Sequence, residues 1–201
     1  MNELIKNIPV VALRGMTLMP SMITHFDISR EKSVRAVETA MMGDQKVYLV
    51  TQRNPQQEVP TAADLYQMGT VSQIKQIVKM PNGILRVMVE GLERAALLTL
   101  FEDGQYLEAE IEDAPMQEEQ LSDTVKEAMS RIVKEKLEEF GNANPKAVKD
   151  FIGSLLVITD LEPLLTQTAN EFPWDFAVKQ ELLECDYVSH LYDRIVYYLM
   201  R

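Results

Sequence analysis

Apolar positions fall along this chain in two regimes. Up to about residue 112 they come in short runs rich in β-branched residues, and beyond it they recur at helical spacing. The run at 8–13, Ile8-Pro9-Val10-Val11-Ala12-Leu13, is almost uncharged, which predicts a strand buried on both faces. Arg14-Gly15 breaks it. Met16-Thr17-Leu18-Met19 reads as a second strand-like run that stops at Pro20-Ser21, because proline lacks a backbone donor. Strand alternation resumes over 22–28, with Thr24, Phe26 and Ile28 on one face and Ile23, His25 and Asp27 on the other. Ser29 is then expected to cap a helix whose stripe is Val34, Val37 and Met41 and whose stop is Gly43.

The same reading predicts a buried strand over 46–51, a proline-broken loop over 53–64 and a long strand over 69–79. Pro81-Asn82-Gly83 tolerates the positive φ of a tight turn, so 84–91 is expected to return antiparallel. Separate strands follow over 94–101 and 106–112, joined by Glu102-Asp103-Gly104-Gln105. Several short strands with one inserted helix imply a small, closed or nearly closed β-structure.

At Asp113 the period changes. A helix of about 20 residues is expected, with a stripe from Leu121 through Val125, Met129, Ile132, Val133 and Leu137 to Phe140 and an end at Gly141. Asn144-Pro145 starts a second helix, shorter pieces fall over 160–169 and 174–184, and Asp186 is expected to cap the last helix. The expected class is α+β: a β-domain over 1–113, an acidic linker over 114–119 and a helical bundle over 120–201. The final helix has no stop signal before Arg201, which leads us to expect a piece of something longer.

Composition narrows the function. With 20 basic and 31 acidic residues the net charge is -11, a surface that repels phosphate, so nucleic acid and anionic membrane are poor partners. No apolar run approaches the roughly 20 residues that span a bilayer, and the first residues lack the order of a signal peptide, so a cytoplasmic location is expected. The lone Cys185 forms no internal disulfide and no cysteine metal cluster. Phosphate-loop, nucleophile-elbow and H-E-x-x-H motifs are all missing. His25 and His190 have no ligand-spaced partners, and the adjacent Glu118 and Glu119 read as a solvated face. Neither catalysis nor a bound metal or cofactor is expected of this segment.

What stands out is apolar. Twelve methionines are many for 201 residues, and Met16, Met19, Met22, Met68, Met80 and Met88 fall in or beside predicted turns and edges. Methionine is flexible and polarizable, which suits a surface that accepts varied apolar partners. Alternation in Arg86-Val87-Met88-Val89-Glu90 places Val87 and Val89 inside and Met88 outside. Met88 then either belongs to a binding surface or is a scattered apolar residue or one packed under the helical half.

Several motifs are specific in combination. Ile8-Pro9-Val10 through Leu13-Arg14, Met19-Pro20 and Arg30-Glu31-Lys32-Ser33 resemble the opening of the N-terminal domain of the ATP-dependent Lon proteases, LonA type. Asp64-Leu65-Tyr66-Gln67-Met68-Gly69-Thr70-Val71 resembles that family's D-L-[YF]-x-x-G-T-[VA] strand entry. Pro81-Asn82-Gly83, Val89-Glu90-Gly91-Leu92-Glu93-Arg94-Ala95 and Lys179-Gln180-Glu181-Leu182-Leu183-Glu184 resemble three further signatures of the same domain. One departure is Ala12, where the family often has proline.

The resemblance implies a PUA-like β-domain and a helical bundle that lead into a long helix, an AAA+ module using ATP and magnesium, and a protease module with a Ser-Lys dyad. Neither catalytic module is in this sequence. It also implies a noncatalytic role in recognising unfolded or damaged proteins within a homohexamer. The displayed methionines and the resemblance together nominate Met19, Pro20, Phe26, Met80, Pro81 and Met88 as contacts, in a groove between the β-domain and the helices. Phe26 can equally be core on the strand pattern. The alternatives are an assembly module that pairs with other copies, or a stand-alone adaptor of the same family.

Overall fold

The computed structural model describes residues 2–201 and divides into two compact units. The first comprises residues 2–115 with Asp175–Leu183, and the second Met116–Trp174 with Glu184–Arg201.

In the first unit, β1 (Leu4–Leu13), β3 (Lys46–Thr51), β4 (Met68–Lys79), β5 (Leu85–Phe101) and β6 (Glu108–Asp113) form a ring, because β5 pairs with both β4 and β6. β2 (Ile23–Ile28) extends the sheet along the first half of β5. β1 and β3 run parallel, with Val10 opposite Tyr48 and Ala12 opposite Val50. Both faces of this pair are buried, as the uninterrupted apolar runs predict. Val11, Leu13, Val47 and Leu49 join one core with Ala36, Val37 and Ala40 of α1 (Glu31–Met42). Val10, Ala12, Tyr48 and Val50 join a second with Ala109 and Ile111. The buried Tyr48 hydroxyl donates to the Ala95 carbonyl at 2.9 Å, and desolvation raises its pKa.

Three expectations are corrected in this unit. Residues 16–19 form no strand. Their carbonyls are taken by side chains, Met16 by the Thr51 hydroxyl at 2.8 Å and Leu18 by the Thr70 hydroxyl at 2.7 Å, so they need no ladder. The predicted strands at 84–91 and 94–101 are one strand, β5, which passes through Gly91 without stopping. A Cβ at Gly91 would lie 2.2 Å from the Met19 carbonyl oxygen, so this glycine serves close approach of the 19–22 turn. The cap of α1 is Arg30 rather than Ser29, held extended by bonds to the Ala12 carbonyl at 2.7 Å and the Gln52 amide oxygen at 2.8 Å.

α6 (Phe176–Leu183) belongs to this strand unit, although it follows the helical stretch in sequence. Three polar bonds hold it there: Gln180 donates to Met68 O at 2.9 Å, Thr17 to Phe176 O at 3.0 Å and Arg94 to Leu183 O at 2.9 Å.

In the second unit, α2 (Asp123–Ala143), α5 (Leu161–Glu171) and α7 (Val188–Leu199) pack on one another around Val133, Leu137, Leu164, Leu165 and Ile195. Ser122 caps α2 by accepting from the Val125 N–H. The buried stripe is narrower than predicted, since Val125 and Ile132 are exposed. Gly141 does not end α2; it is buried two residues before its end, where a Cβ would lie 2.8 Å from a Val148 methyl. α3 (Pro145–Ala147), a π turn (Val148–Ile152) and α4 (Gly153–Leu156) continue from there. Phe140 and Phe151 meet Phe172 edge-on, and Phe172 stacks on Trp174 with centroids 4.6 Å apart. Among the described residues, no helix is long and apolar enough to cross a membrane.

Glu119, read as part of a solvated face, is a capping group instead. α7 begins after Tyr187 with no cap from that side chain, and the Glu119 carboxylate accepts from the Ser189 N–H and hydroxyl in its first turn. The N-cap position is Tyr187, one residue after the expected Asp186. Those bonds, the hydroxyl first, hold the Glu119 carboxyl below its ordinary value of 4.5. A lowered folded-state pKa means the stabilisation is complete above the ordinary value and is lost as pH falls through the folded one. Amide exchange in the first turn of α7 should therefore accelerate on acidification below 4.5, and Glu119→Gln should make it fast at neutral pH and remove that pH dependence.

Candidate functional site

α1 and the β4–β5 hairpin meet at a cleft of about 590 Å³. The helix contributes Val34 and Met41, two turns apart on one face, and the hairpin contributes Ile77, Met80 and Leu85. Leu85 is buried in the core beneath, while Val34, Met41 and Ile77 are partly buried against it, so the floor is an exposed margin of the hydrophobic core. Glu38 and Lys79 rim the cleft with opposite charges. Met42 lies on the same rim and is 83% exposed. The hairpin is shaped by Asn82 at φ 65, and the Met80 N–H donates to Ile84 O at 2.8 Å across the turn. The site can hold apolar side chains, and its two partly buried methionines can change rotamer to fit them.

The six nominated contacts scatter. Met80 lines the cleft, and Pro81 is exposed next to it at the hairpin tip. Met88 is 39% exposed, as the alternation predicts, but on the face of β5 opposite Val87 and Val89, between His25 of β2 and Gln76 of β4. Around it lie the Arg86–Asp27 ion pair at 2.8 Å and the exposed Ile23. Pro20 is half-buried in the 19–22 turn. Phe26 and Met19 are withdrawn, at 7% and 5% exposure, Phe26 within the core that packs on α1. Neither offers a ligand surface in this conformation.

Val34, Met41, Ile77 and Leu85 went unnominated. Helical and strand periodicity assigns each of them to the core, and nothing in the local pattern tells that the end of α1 overhangs a hairpin more than thirty residues later.

Three comparisons bear on this geometry. The family model for the ATP-dependent protease La (LON) substrate-binding domain matches residues 7–201. The Lon protease of Lachnoclostridium phytofermentans is 37% identical over 195 residues, covering 97% of this chain and 24% of the relative. Lon protease 1 of Bacillus subtilis is 31% identical, covering 96% of this chain and 25% of the relative. The chain thus spans about a quarter of the length of these relatives. Among solved structures, the N-terminal domain of a Mycobacterium avium complex Lon protease superposes with a TM-score of 0.73 at 17% identity, covering 97% of this chain and 98% of that one. A Lon N-terminal domain protein from Xanthomonas campestris gives 0.67 at 12% identity, covering 96% and 99%. These two establish likeness of fold.

Proposed function

The chain belongs to the ATP-dependent protease La (LON) substrate-binding domain family, and on that premise we propose that it captures exposed apolar segments of unfolded or damaged polypeptides. The observation that carries this reading is the methionine-flanked cleft between α1 and the β4–β5 hairpin. Its volume falls in the ~300–1,000 Å³ range of ligand pockets, and its floor is core surface left uncovered. A native client keeps its apolar side chains inside, so discrimination needs no sequence motif, only exposure.

In this reading the segment catalyses nothing. It delivers clients to the ATPase and Ser-Lys protease modules of a longer cytoplasmic chain that assembles as a hexamer. Binding per site is weak, because an unfolded client loses entropy on ordering, and six linked copies raise the effective affinity.

The test is amide shift perturbation of this chain by one protein in native and in permanently unfolded form. Shifts are expected with the unfolded form alone, at Val34, Met41, Ile77 and Met80. Met80→Glu together with Met41→Glu should weaken that binding about tenfold, since each puts a charge against an apolar surface. Absence of shifts with either form would assign the segment to assembly rather than recognition.

A further inference from the structure

The N-terminal end of α1 opens into a second cavity, of about 300 Å³, that shares no lining residue with the cleft. Much of its wall is apolar, from Ala12, Val59, Pro60 and Leu107. Among the described residues no side chain accepts from the first-turn N–H groups of this 12-residue helix, which face this end. Ser33, in that turn, lines the cavity at 6% exposure, and among the described residues no hydrogen bond engages its hydroxyl. An accessible hydroxyl with no protein partner, on an otherwise buried residue at a helix N-terminus, is a place prepared for an acceptor.

Arg30 lines the same cavity and is held rigidly. Its guanidinium donates to Gln52 Oε1 at 2.8 Å, Glu58 O at 3.2 Å and Ala12 O at 2.7 Å. Of five N–H donors, the Nε hydrogen and one Nη2 hydrogen remain.

Charge limits what can enter. Lys32, on the Glu102 carbonyl at 2.8 Å, adds a second cation, while Glu31, Glu58 and Glu102 also line the cavity. Glu31 is engaged by Arg35 at 2.9 Å, which leaves two cations against two carboxylates. A site so balanced, on a chain of net charge -11, accepts a single negative charge with good hydrogen bonds and disfavours a doubly charged phosphate.

We propose that this cavity takes the C-terminal carboxylate of a polypeptide that ends in an aliphatic residue. The carboxylate accepts from the Ser33 hydroxyl, the first-turn N–H groups and the remaining Arg30 donors, and the last side chain lies among Val59, Pro60 and Leu107. Within a polypeptide, only the C-terminus attaches a carboxylate and an apolar side chain to the same carbon. An internal aspartate or glutamate carries the charge without the apolar group. The proposal rests on the reading that this chain binds polypeptides, and adds chain ends to internal apolar segments as ligands.

The test is fluorescence anisotropy of this chain with a labelled ten-residue peptide ending in leucine, as the free acid and as the C-terminal amide. The acid should bind about tenfold tighter, the worth of charge-assisted hydrogen bonds, with millimolar inorganic phosphate failing to displace it. Ser33→Glu, whose carboxylate occupies the site from within, should abolish the preference for the acid over the amide. Equal affinity of acid and amide for the unaltered chain overturns the proposal, as does displacement by phosphate. An unfolded protein with an amidated terminus separates the two readings. If it binds while acid and amide peptides bind equally, only the terminal site fails; if neither it nor the peptides bind, recognition itself fails.

Discussion

Gly91→Ala is expected to destabilise the strand unit by about 3 kcal/mol, at the upper end of the range for overpacked sites, and to lower its melting temperature by roughly 10 °C. The new Cβ would lie 2.2 Å from Met19 O, 3.1 Å from Met19 C and 3.3 Å from Pro20 Cα, all backbone atoms that no rotamer change can move. The turn they belong to cannot retreat cheaply. Ser21 N–H donates to Gly91 O at 2.9 Å and Gly91 N–H to Met22 O at 2.8 Å, so displacing the turn breaks both bonds. It also strains the Thr70 bond to Leu18 O, which stands in for a strand ladder in this segment. Gly43→Ala is the control, since its Cβ meets only Ala40 O at an ordinary 3.8 Å. Thermal unfolding followed by circular dichroism checks both, and equal melting of the two variants would show that the turn yields to β5.

The same contact explains what periodicity could and could not reveal. Two-faced burial of β1 and β3 was legible because uninterrupted apolar runs leave no polar face for water. The outward setting of Met88 was legible because strand alternation is strict. Residues 16–19 looked like a strand because Met16, Leu18 and Met19 are apolar, but the Met16 and Leu18 carbonyls are met by Thr51 and Thr70 from other strands, which no local pattern records. The strand expected over 84–91 continues through Gly91, where a turn some seventy residues earlier in the chain needs the space a side chain would fill. Glu119 read as solvent-facing for a similar reason, its partner Ser189 being 70 residues away. The cleft was half legible: Met80 stood in a recognisable turn, while its opposite wall was encoded as an ordinary helix stripe ending at Met41.

Arg94 shows the same principle with the largest consequence for domain boundaries. Chain order placed 120–201 in one helical bundle, yet Asp175–Leu183 sits with the strands, and Arg94 is one reason. Its side chain is 6% exposed, and it donates to Leu183 O at 2.9 Å, at the C-terminal end of α6, and to the Ala114 carbonyl. A cation suits a helix C-terminus, where carbonyls lack intrahelical donors, and the guanidinium reaches two carbonyls at once. Arg94→Leu keeps the apolar stem and removes every donor. It should cost about 3 kcal/mol, from two carbonyls left without this partner, concentrated in α6. Gln180 and Thr17 still hold other points of α6, so the expected result is local opening rather than global unfolding. Hydrogen exchange should show lost protection over Asp175–Leu183 with β3 and β4 unchanged. Arg94→Lys, which carries the charge without the fork, should recover only part of it. Uniform loss of protection across the strands would instead make α6 and the β-ring one cooperative unit, with Arg94 part of its core.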